Sequence, residues 1–411
     1  TPADQGAELL KQALQELPGC KGSQHGDLLF LTRDGSLPGA ADWSHQGADA
    51  ANSGAAADAF LKAPLGLLWF DGSLRWHRKP GSVVVRVTGG RLLIKADKLY
   101  AQDVYTGRRL WEKELPASVA PGAATEFVAV EDAVYLTAGK QHCLALDLAT
   151  GKEIAKIEIP REALAEAGAG WSNLRVWRNY LVAGVGKQLV CVDRRTGKFQ
   201  WRQPMQRAQL DVAVGAGKVF CAESADKRRG ETPSQNAGIR AFDVKTGKEL
   251  WRIDGASDPR YSVAFDLLVT SRGVYRGKDG EKVRDLKSSA PIVGDSLIVG
   301  ARESFAMYDL LSGSQSVEEM KWYRRGCTGL RASTHLVTTR YQGSAAYVDF
   351  SARKITPLWN VRSACNNNLF PANGVLNAPN LTGGCACNYT PSSLTFAPES
   401  SLARPGAEKS Q

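Results

Sequence analysis

One short pattern recurs along this chain: an apolar strand, an aspartate, two residues, Thr or Ser, and then glycine. It occurs five times, and its first four aspartates are spaced 44, 46 and 50 residues apart. That spacing is close to the length of one four-stranded blade of a β-propeller. The aspartates and glycines of the pattern are Asp103, Gly107, Asp147, Gly151, Asp193, Gly197, Asp243, Gly247, Asp309 and Gly313.

The residue types of the pattern suit a hairpin turn that leads into another strand. The aspartate can accept hydrogen bonds from the amides just beyond it, and the glycine supplies the positive φ that the turn needs. In three repeats a tryptophan follows the glycine by four residues, namely Trp111, Trp201 and Trp251. A large flat side chain there can fill space between neighbouring blades, and a closed ring of blades removes exposed sheet edges.

The sequence therefore predicts an all-β fold, a single β-propeller of about eight, alternatively seven, four-stranded blades with a short N-terminal helix. We expect residues 1–40 to form an N-terminal helix and strand extension, residues 41–400 the propeller, and residues 401–411 a disordered tail. Strands at 374–378 and 393–397 indicate a final blade. We expect the strand at 26–32 to complete it.

The chain contains eight cysteines, and they bear on its location. Three of them, Cys143, Cys191 and Cys221, lie in apolar strand patterns and are interpreted as buried thiols. Four others are expected to form disulfides, with a four-thiolate metal site as the alternative: Cys327, Cys365, Cys385 and Cys387. Disulfides indicate an oxidising compartment, so we expect an exported protein, periplasmic or on the cell surface. The chain begins with Thr1, so a removed leader or a longer parent protein is expected.

The Asp-x-x-Thr-Gly-x-x-x-Trp repeat resembles that of PQQ-like, quinoprotein-type propellers, over residues 41 to 400. The stretches Ala41–Gln46, Ala63–Phe70 and Pro371–Pro379 are further similar to uncharacterised PQQ-like repeat proteins typical of planctomycete bacteria. Some of those relatives carry an upstream methyltransferase-like domain, of which residues 5–33 are alternatively the last piece. The resemblance implies the fold, whereas the superfamily includes dehydrogenases, assembly factors and inert scaffolds.

Several kinds of chemistry lack their motifs in this sequence. Quinoprotein dehydrogenases use two adjacent cysteines, but here Cys385 and Cys387 are separated by Ala386, so we expect no cofactor, PQQ included. Motifs for covalent haem, zinc peptidases, P-loops and nucleophile elbows are absent. The basic and aromatic run Lys321–Arg325 is interpreted as a solvated strand, so we expect no nucleic-acid partner. No apolar run has the length of a transmembrane segment.

A net charge of +10 suits an acidic partner or envelope surface, although a generally basic surface is the alternative. Five side chains are candidates for binding an anion or a partner at a propeller face: His45, His77, Arg78, Arg340 and Arg362. A structural role for His45, packed with Trp43 at the ring closure, is the alternative.

We expect an exported, non-catalytic binding or scaffold module, an accessory subunit of a larger complex that docks onto a partner protein or the cell envelope. The alternative is a PQQ-dependent or other oxidoreductase that acts on a small anion or sugar at the central funnel.

Overall fold

Eight four-stranded antiparallel sheets form the blades of a β-propeller, and a helix with a two-stranded hairpin precedes them. This confirms the predicted all-β fold and its count of eight blades. The computed structural model describes residues 2–16, 19–26, 28–33, 35–71, 83–116, 126–139, 141–160, 170–208, 210–223, 238–285, 291–300, 304–321, 329–361, 368–380 and 392–402.

Most strands are short, as expected for blades joined by tight turns. In chain order the elements are α1 (Pro2–Glu16), β1 (Cys20–His25), β2 (Leu28–Arg33), β3 (Leu65–Asp71), β4 (Val84–Thr88), β5 (Arg91–Lys95), β6 (Lys98–Asp103), β7 (Arg109–Glu114), β8 (Phe127–Ala129), β9 (Ala133–Ala138), β10 (His142–Asp147), β11 (Glu153–Glu158), β12 (Trp171–Trp177), β13 (Tyr180–Val185), β14 (Gln188–Asp193), β15 (Phe199–Pro204), β16 (Leu210–Gly215), β17 (Lys218–Glu223), β18 (Gly238–Asp243), β19 (Glu249–Asp254), β20 (Arg260–Ser262), β21 (Leu267–Thr270), β22 (Gly273–Arg276), β23 (Lys282–Arg284), β24 (Ile292–Val293), β25 (Ser296–Gly300), β26 (Ser304–Asp309), β27 (Gln315–Lys321), β28 (Arg331–Ala332), β29 (Leu336–Tyr341), β30 (Ser344–Asp349), β31 (Lys354–Leu358), β32 (Phe370–Ala372), β33 (Val375–Ala378), β34 (Ser393–Pro398) and α2 (Glu399–Leu402).

Blades 1 to 7 each consist of four consecutive strands, beginning with β4–β7 and ending with β28–β31. The first strand of each blade lies innermost, and in most pairs of neighbouring blades the first strands contact one another. Blade 8 combines β32, β33 and β34 with β3 as its outermost strand. Because β3 precedes every other blade strand in the chain, its pairing with β34 closes the ring.

The prediction that the strand at 26–32 completes the last blade is wrong. Strand β2 pairs with β1, from His25 opposite Leu28 to Cys20 opposite Arg33, and β3 takes the expected place in blade 8. The hairpin instead packs against α1, where Leu10 lies beside Gly22. Strands β1 and β2 pair with each other and pack against the same helix, so β2 does not require backbone hydrogen bonds from the edge of blade 8.

The recurring aspartate organises the turn before each outermost strand. Oδ1 of Asp103 accepts hydrogen bonds from the amides of Tyr105 and Thr106, both at 2.8 Å. Gly107 has φ +73°, and its amide donates to the Asp103 carbonyl. Equivalent amide bonds lower the pKa of Asp193, most strongly that from Thr196. The turn therefore prefers its aspartate ionised.

Tryptophans join neighbouring blades at these turns. The ring of Trp111 in blade 1 lies so close to Gly151 in blade 2 that a Cβ there would be 2.6 Å from it. Trp111 Nε1 also donates to the Leu148 carbonyl at 3.1 Å. Trp69 on β3 makes the same contact with Gly107, so a docked tryptophan also seals the junction between blades 8 and 1. Only glycine leaves room for such rings.

The hydrophobic core lies between the blades. One cluster combines Tyr135 and Cys143 of blade 2 with Leu174 and Leu181 of blade 3. Each blade thus buries both of its faces against its neighbours, which explains why strands such as β9 are buried along their whole length. No helix in the described part of the chain is long and apolar enough to span a bilayer.

Candidate functional site

Residues 41–58 run around the propeller axis, and we call them the axial segment. The innermost strands would otherwise present unpaired backbone groups to the axis. The axial segment satisfies one or more of these groups in every blade. The strand-side partners, from blade 1 to blade 8, are Val87, Ala129, Val176, Val214, Tyr261, Ile292, Ala332 and the residue that follows β32, Asn373.

The carboxylate of Asp58 joins the two ends of the axial segment. Its Oδ2 accepts from the amide of Ala41, where the segment begins, at 3.1 Å, and from Gly374 of blade 8 at 2.7 Å. Its Oδ1 accepts from the amides of Phe60 and Leu61, both at 3.0 Å. Four amide donors therefore converge on one buried carboxylate, and the segment forms a closed loop.

Asn52 ties the axial segment to three blades at once. Its Nδ2 donates to the carbonyls of Val212 at 3.0 Å and Pro259 at 3.3 Å, in or next to blades 4 and 5. Its Oδ1 accepts from Nη2 of Arg175 in blade 3 at 2.9 Å. Asn52 has φ +58°, a backbone conformation that asparagine tolerates better than most residues. The Asn52 side chain therefore lies between the axis and blades 3, 4 and 5.

His45 lies inside the protein, in the axial segment. Its Nε2 accepts the amide hydrogen of Val176 at 3.0 Å, and its Nδ1 lies 2.7 Å from Oγ of Ser44. Burial lowers its pKa well below the usual value of 6.5, and Arg175 and Arg86 lower it further. The imidazole is therefore neutral, and it serves as a backbone hydrogen-bond acceptor.

Four arginines lie immediately before the residues of the innermost strands that bind the axial segment, and they occur in alternate blades. We call Arg86, Arg175, Arg260 and Arg331 the axial arginine layer. The corresponding positions of the other blades hold small or apolar residues, namely Val128, Ala213, Pro291 and Ala372. Arg86, Arg175 and Arg331 contact the blade that follows their own. Arg260 donates to the Asn52 carbonyl of the axial segment at 3.0 Å.

Two members of the layer use the same hydrogen bonds. Arg86 donates from Nε to the Phe127 carbonyl of blade 2 at 3.0 Å and from Nη1 to the Val85 carbonyl at 2.7 Å. Arg175 donates from Nε to the Val212 carbonyl at 2.7 Å and from Nη1 to the preceding carbonyl at 2.8 Å. Both arginines thus satisfy backbone carbonyls of the innermost strands, and Arg175 shares the Val212 carbonyl with Asn52 of the axial segment.

The electrostatic surroundings of the four arginines differ. Arg175 forms an ion pair with Glu126, Nη1 to Oε1, at 3.2 Å. Burial lowers the pKa of Arg260, while Asp211, Asp258 and Asp49 oppose that shift. Arg175 and Arg260 are therefore each close to at least one carboxylate.

Burial lowers the pKa of Arg86 to about 10, although Glu126 raises it in part. Burial also lowers the pKa of Arg331, to about 9, and the charge of Arg86 lowers it further.

The predicted anion-binding residues are only partly described. His45 and Arg340 are both buried, the latter on β29, so neither stands at a surface entrance. His77, Arg78 and Arg362 lie outside the described residues. A joint anion-binding role for these five residues stays a prediction.

The candidate disulfide cysteines, Cys327, Cys365, Cys385 and Cys387, also lie outside the described residues, and their pairing stays a prediction. The interpretation of Cys143, Cys191 and Cys221 as buried thiols is confirmed. Burial raises the pKa of Cys143 and of Cys191 to about 12. Among the described residues, no three His, Cys, Asp or Glu side chains gather closely enough to hold a metal ion.

Sequence reasoning missed the axial segment, Asp58 and the arginine layer. The layer did leave a signal, because each of its arginines stands between two apolar residues. These triplets are Val85–Val87, Leu174–Val176, Pro259–Tyr261 and Leu330–Ala332. They recur two blades apart, but the spacing of the arginines shortens from 89 and 85 residues to 71, so a search at one fixed period would not have found all four.

Comparison with solved structures shows the same fold. The computationally designed Ika8 protein is 12% identical, with a TM-score of 0.57 over 79% of this chain and 98% of that one. A europium-containing methanol dehydrogenase is 14% identical, with a TM-score of 0.55 over 87% and 98%. BamB from Moraxella catarrhalis is 14% identical, with a TM-score of 0.52 over 82% and 98%. At such identities the likeness shows the fold alone.

No curated protein matches the chain. A protein-family model does match it, over residues 67–253 and again over 176–319. The matched ranges begin in β3 and run into blade 6, and they include all five turn aspartates. Since this model covers more than half of the sequence, the chain is a PQQ-like β-propeller that belongs to the family described as outer membrane protein assembly factor BamB.

Proposed function

We propose that this chain is an exported, non-catalytic binding module that docks onto a partner protein of the bacterial cell envelope. The observation that carries the proposal is the axial segment, which binds the innermost strand of all eight blades. Because residues 41–58 hold the blades together around the axis, the outer surfaces of the propeller are the surfaces that we propose bind a partner. The family description, an outer membrane protein assembly factor, supports an envelope role.

A quinone cofactor does not fit at the level of the axial segment. The backbone of residues 41–58 and the Asn52 side chain occupy the space between the innermost strands there. A flat three-ring cofactor would have to displace hydrogen bonds that would then stay unsatisfied in the interior. We therefore propose no PQQ and no step through it. The finer resemblance to planctomycete-type repeat proteins stays a prediction.

Exposed apolar side chains on adjacent blades offer a docking surface. Phe70 on β3 is 69% exposed, Leu110 on β7 38% and Ile154 on β11 59%, and these outermost strands belong to blades 8, 1 and 2. We call these three residues the rim patch. Outermost strands also have unpaired backbone edges, and exposed edges and exposed apolar groups commonly take part in protein contacts. The partner is therefore proposed to be a protein that covers the rim patch.

The test compares cross-linked partners of matched variants exported into the envelope of the source organism. The double variant Phe70→Asp and Ile154→Asp should lose a partner that the unaltered chain retains. The control is Val263→Asp, because Val263 is 52% exposed but lies in a turn between β20 and β21. Equal capture by the rim and control variants would contradict docking through the rim patch.

Catalysis is tested separately, by incubating the purified chain with PQQ and Ca²⁺ and measuring dye reduction with alcohols and sugars. We expect no turnover above that of the unfolded chain. Turnover that requires the folded chain would replace the binding-module proposal with an oxidoreductase.

A further inference from the structure

Strand β2 of the N-terminal hairpin has an open, apolar edge. Within the described part of the chain it pairs only with β1, so alternate residues direct their N–H and C=O groups away from the hairpin. Its sequence is apolar from Leu28 to Leu31 and carries no charge before Arg33. Edge strands usually carry charged residues or proline, which prevent pairing with another chain. Strand β2 lacks this protection along most of its length.

The apolar side chains of β2 are exposed on both faces of the hairpin. Leu29 contacts α1 at Gly6, and because alternate residues of a strand share a face, Leu31 lies on the helix side as well. Leu31 is nevertheless 37% exposed. Leu28 and Phe30 lie on the opposite face and are 65% and 41% exposed. The helix therefore leaves the β2 side of the hairpin uncovered.

Helix α1 adds another apolar side chain on the same side. Leu10 and Leu14 lie over Gly22 of β1, and Lys11 lines a groove between the helix and β1. Leu9 precedes Lys11 by two residues, which is about 200° around the helix. Leu9 therefore lies on the side away from that groove, and it is 66% exposed. Helix and strand thus present one apolar surface beside the edge of β2.

The opposite edge of the hairpin has a different character. Strand β1 is polar along its length, and its exposed residues include Lys21, Ser23 and Gln24. A partner strand of apolar side chains is therefore matched by β2 and not by β1. A two-stranded sheet is also below the size that is usually stable in water, so an added strand at β2 would stabilise the hairpin.

A second copy of this chain supplies a strand that fits the edge. Two copies related by a two-fold axis present the same surface to each other, and an uncharged strand can pair antiparallel with its own copy without opposing like charges. The exposed fractions of the four apolar side chains named above amount to about two complete side chains per copy, so a dimer would bury about four. An interface of this size is at the small end of those that bind specifically.

We propose that two copies of this chain associate through β2, so that the two hairpins form one four-stranded antiparallel sheet with both copies of α1 on the same face. The dimer forms reversibly because its interface is small. This surface shares no residue with the rim patch, so the dimer and the docking of a partner protein can each be refuted without the other.

Sedimentation equilibrium of the full chain measures the association. Every sample carries Cys20→Ser, because Cys20 is a free, partly exposed cysteine that could link two copies by a disulfide. We expect a monomer–dimer equilibrium with a micromolar dissociation constant. Leu28→Lys and Leu31→Lys should each raise that constant at least tenfold. Ser23→Lys is the matched control, because it adds the same charge to the exposed β1 edge of the same hairpin, and it should dimerise like the unaltered residue.

Two further measurements cover the case in which a β2 variant does not fold. Leu9→Lys leaves both strands unchanged and should weaken the dimer several-fold. In the chain with Leu9 unaltered, hydrogen exchange of β2 amides should slow as the concentration rises through the dissociation constant, since pairing protects the outward amides. A chain that is monomeric at every concentration, or a dimer that the folded β2 variants form as readily as the Ser23→Lys control, would overturn the proposal.

Discussion

Asp58→Asn tests whether closure of the axial segment stabilises the propeller. The Asp58 side chain is fully buried, and each carboxylate oxygen accepts two amide hydrogens. Asparagine has almost the same size and shape, but only one of its two terminal groups can accept a hydrogen bond. Its NH₂ group would therefore face two backbone amide donors, either those of Phe60 and Leu61 or those of Ala41 and Gly374.

The expected loss follows from those two pairs. A hydrogen bond to a charged acceptor contributes about 1.5–3 kcal/mol to stability. Two such bonds are lost, so the free energy of unfolding should fall by about 3–6 kcal/mol. That is a large fraction of the stability of an ordinary domain.

Urea unfolding, followed by tryptophan fluorescence and by far-ultraviolet circular dichroism, measures the difference. Asp254→Asn is the control, because Asp254 ends β19 with an exposed side chain. The control should change the free energy of unfolding by less than about 0.5 kcal/mol. If Asp58→Asn stayed within about 1 kcal/mol of the unaltered chain with the same denaturant dependence, closure of the axial segment would not be a stabilising feature.

Three further predictions concern a docked tryptophan, the buried histidine and the cysteines. Gly247→Ala places a Cβ 2.6 Å from the Trp201 ring, whereas Gly217→Ala, at a similar positive φ, places one where nothing lies within 4 Å. In urea unfolding, the Gly247→Ala variant should therefore be about 1–3 kcal/mol less stable than the Gly217→Ala variant. The free energy of unfolding should fall by up to about 1.4 kcal/mol per pH unit as the pH drops below 6.5, the pKa of an ordinary histidine, because His45 takes up a proton in the unfolded chain but not when buried. His45→Gln should remove this contribution to the pH dependence, and an unchanged slope in the variant would contradict the prediction. Thiol titration of the unfolded, unreduced chain should find four reactive groups if both predicted disulfides are present and eight if neither is, while the native protein should protect the buried thiols Cys143, Cys191 and Cys221.

The blades were predictable because their signal is local. An aspartate that accepts amide bonds two and three residues ahead, as Asp243 does, acts within its own turn and is readable from the sequence around it. The same holds for the glycine of each turn, whose positive φ is a property of single residues. Repetition at blade spacing then implies the ring.

The centre was not predictable by the same reasoning. The bonds of the axial segment join residues far apart in sequence, such as Ala41 with Asn373, and small residues such as Ala50 and Ala51 carry no pattern that names their partners. The N-terminal strand was misassigned for a related reason. An apolar strand near one end suits either a hairpin or ring closure, and only tertiary contacts select β3 over β2.

The axial segment couples the stability of each blade to that of all the others. In a simple ring each blade contacts two neighbours, so a disturbance must pass from sheet to sheet around the circumference. Here one short segment is hydrogen-bonded to all eight blades, through its backbone or, at blade 3, through the His45 side chain, so blades on opposite sides are joined by the same segment. A substitution that destabilises one blade should therefore increase the hydrogen exchange of backbone amides in the opposite blade as much as in the neighbouring blades.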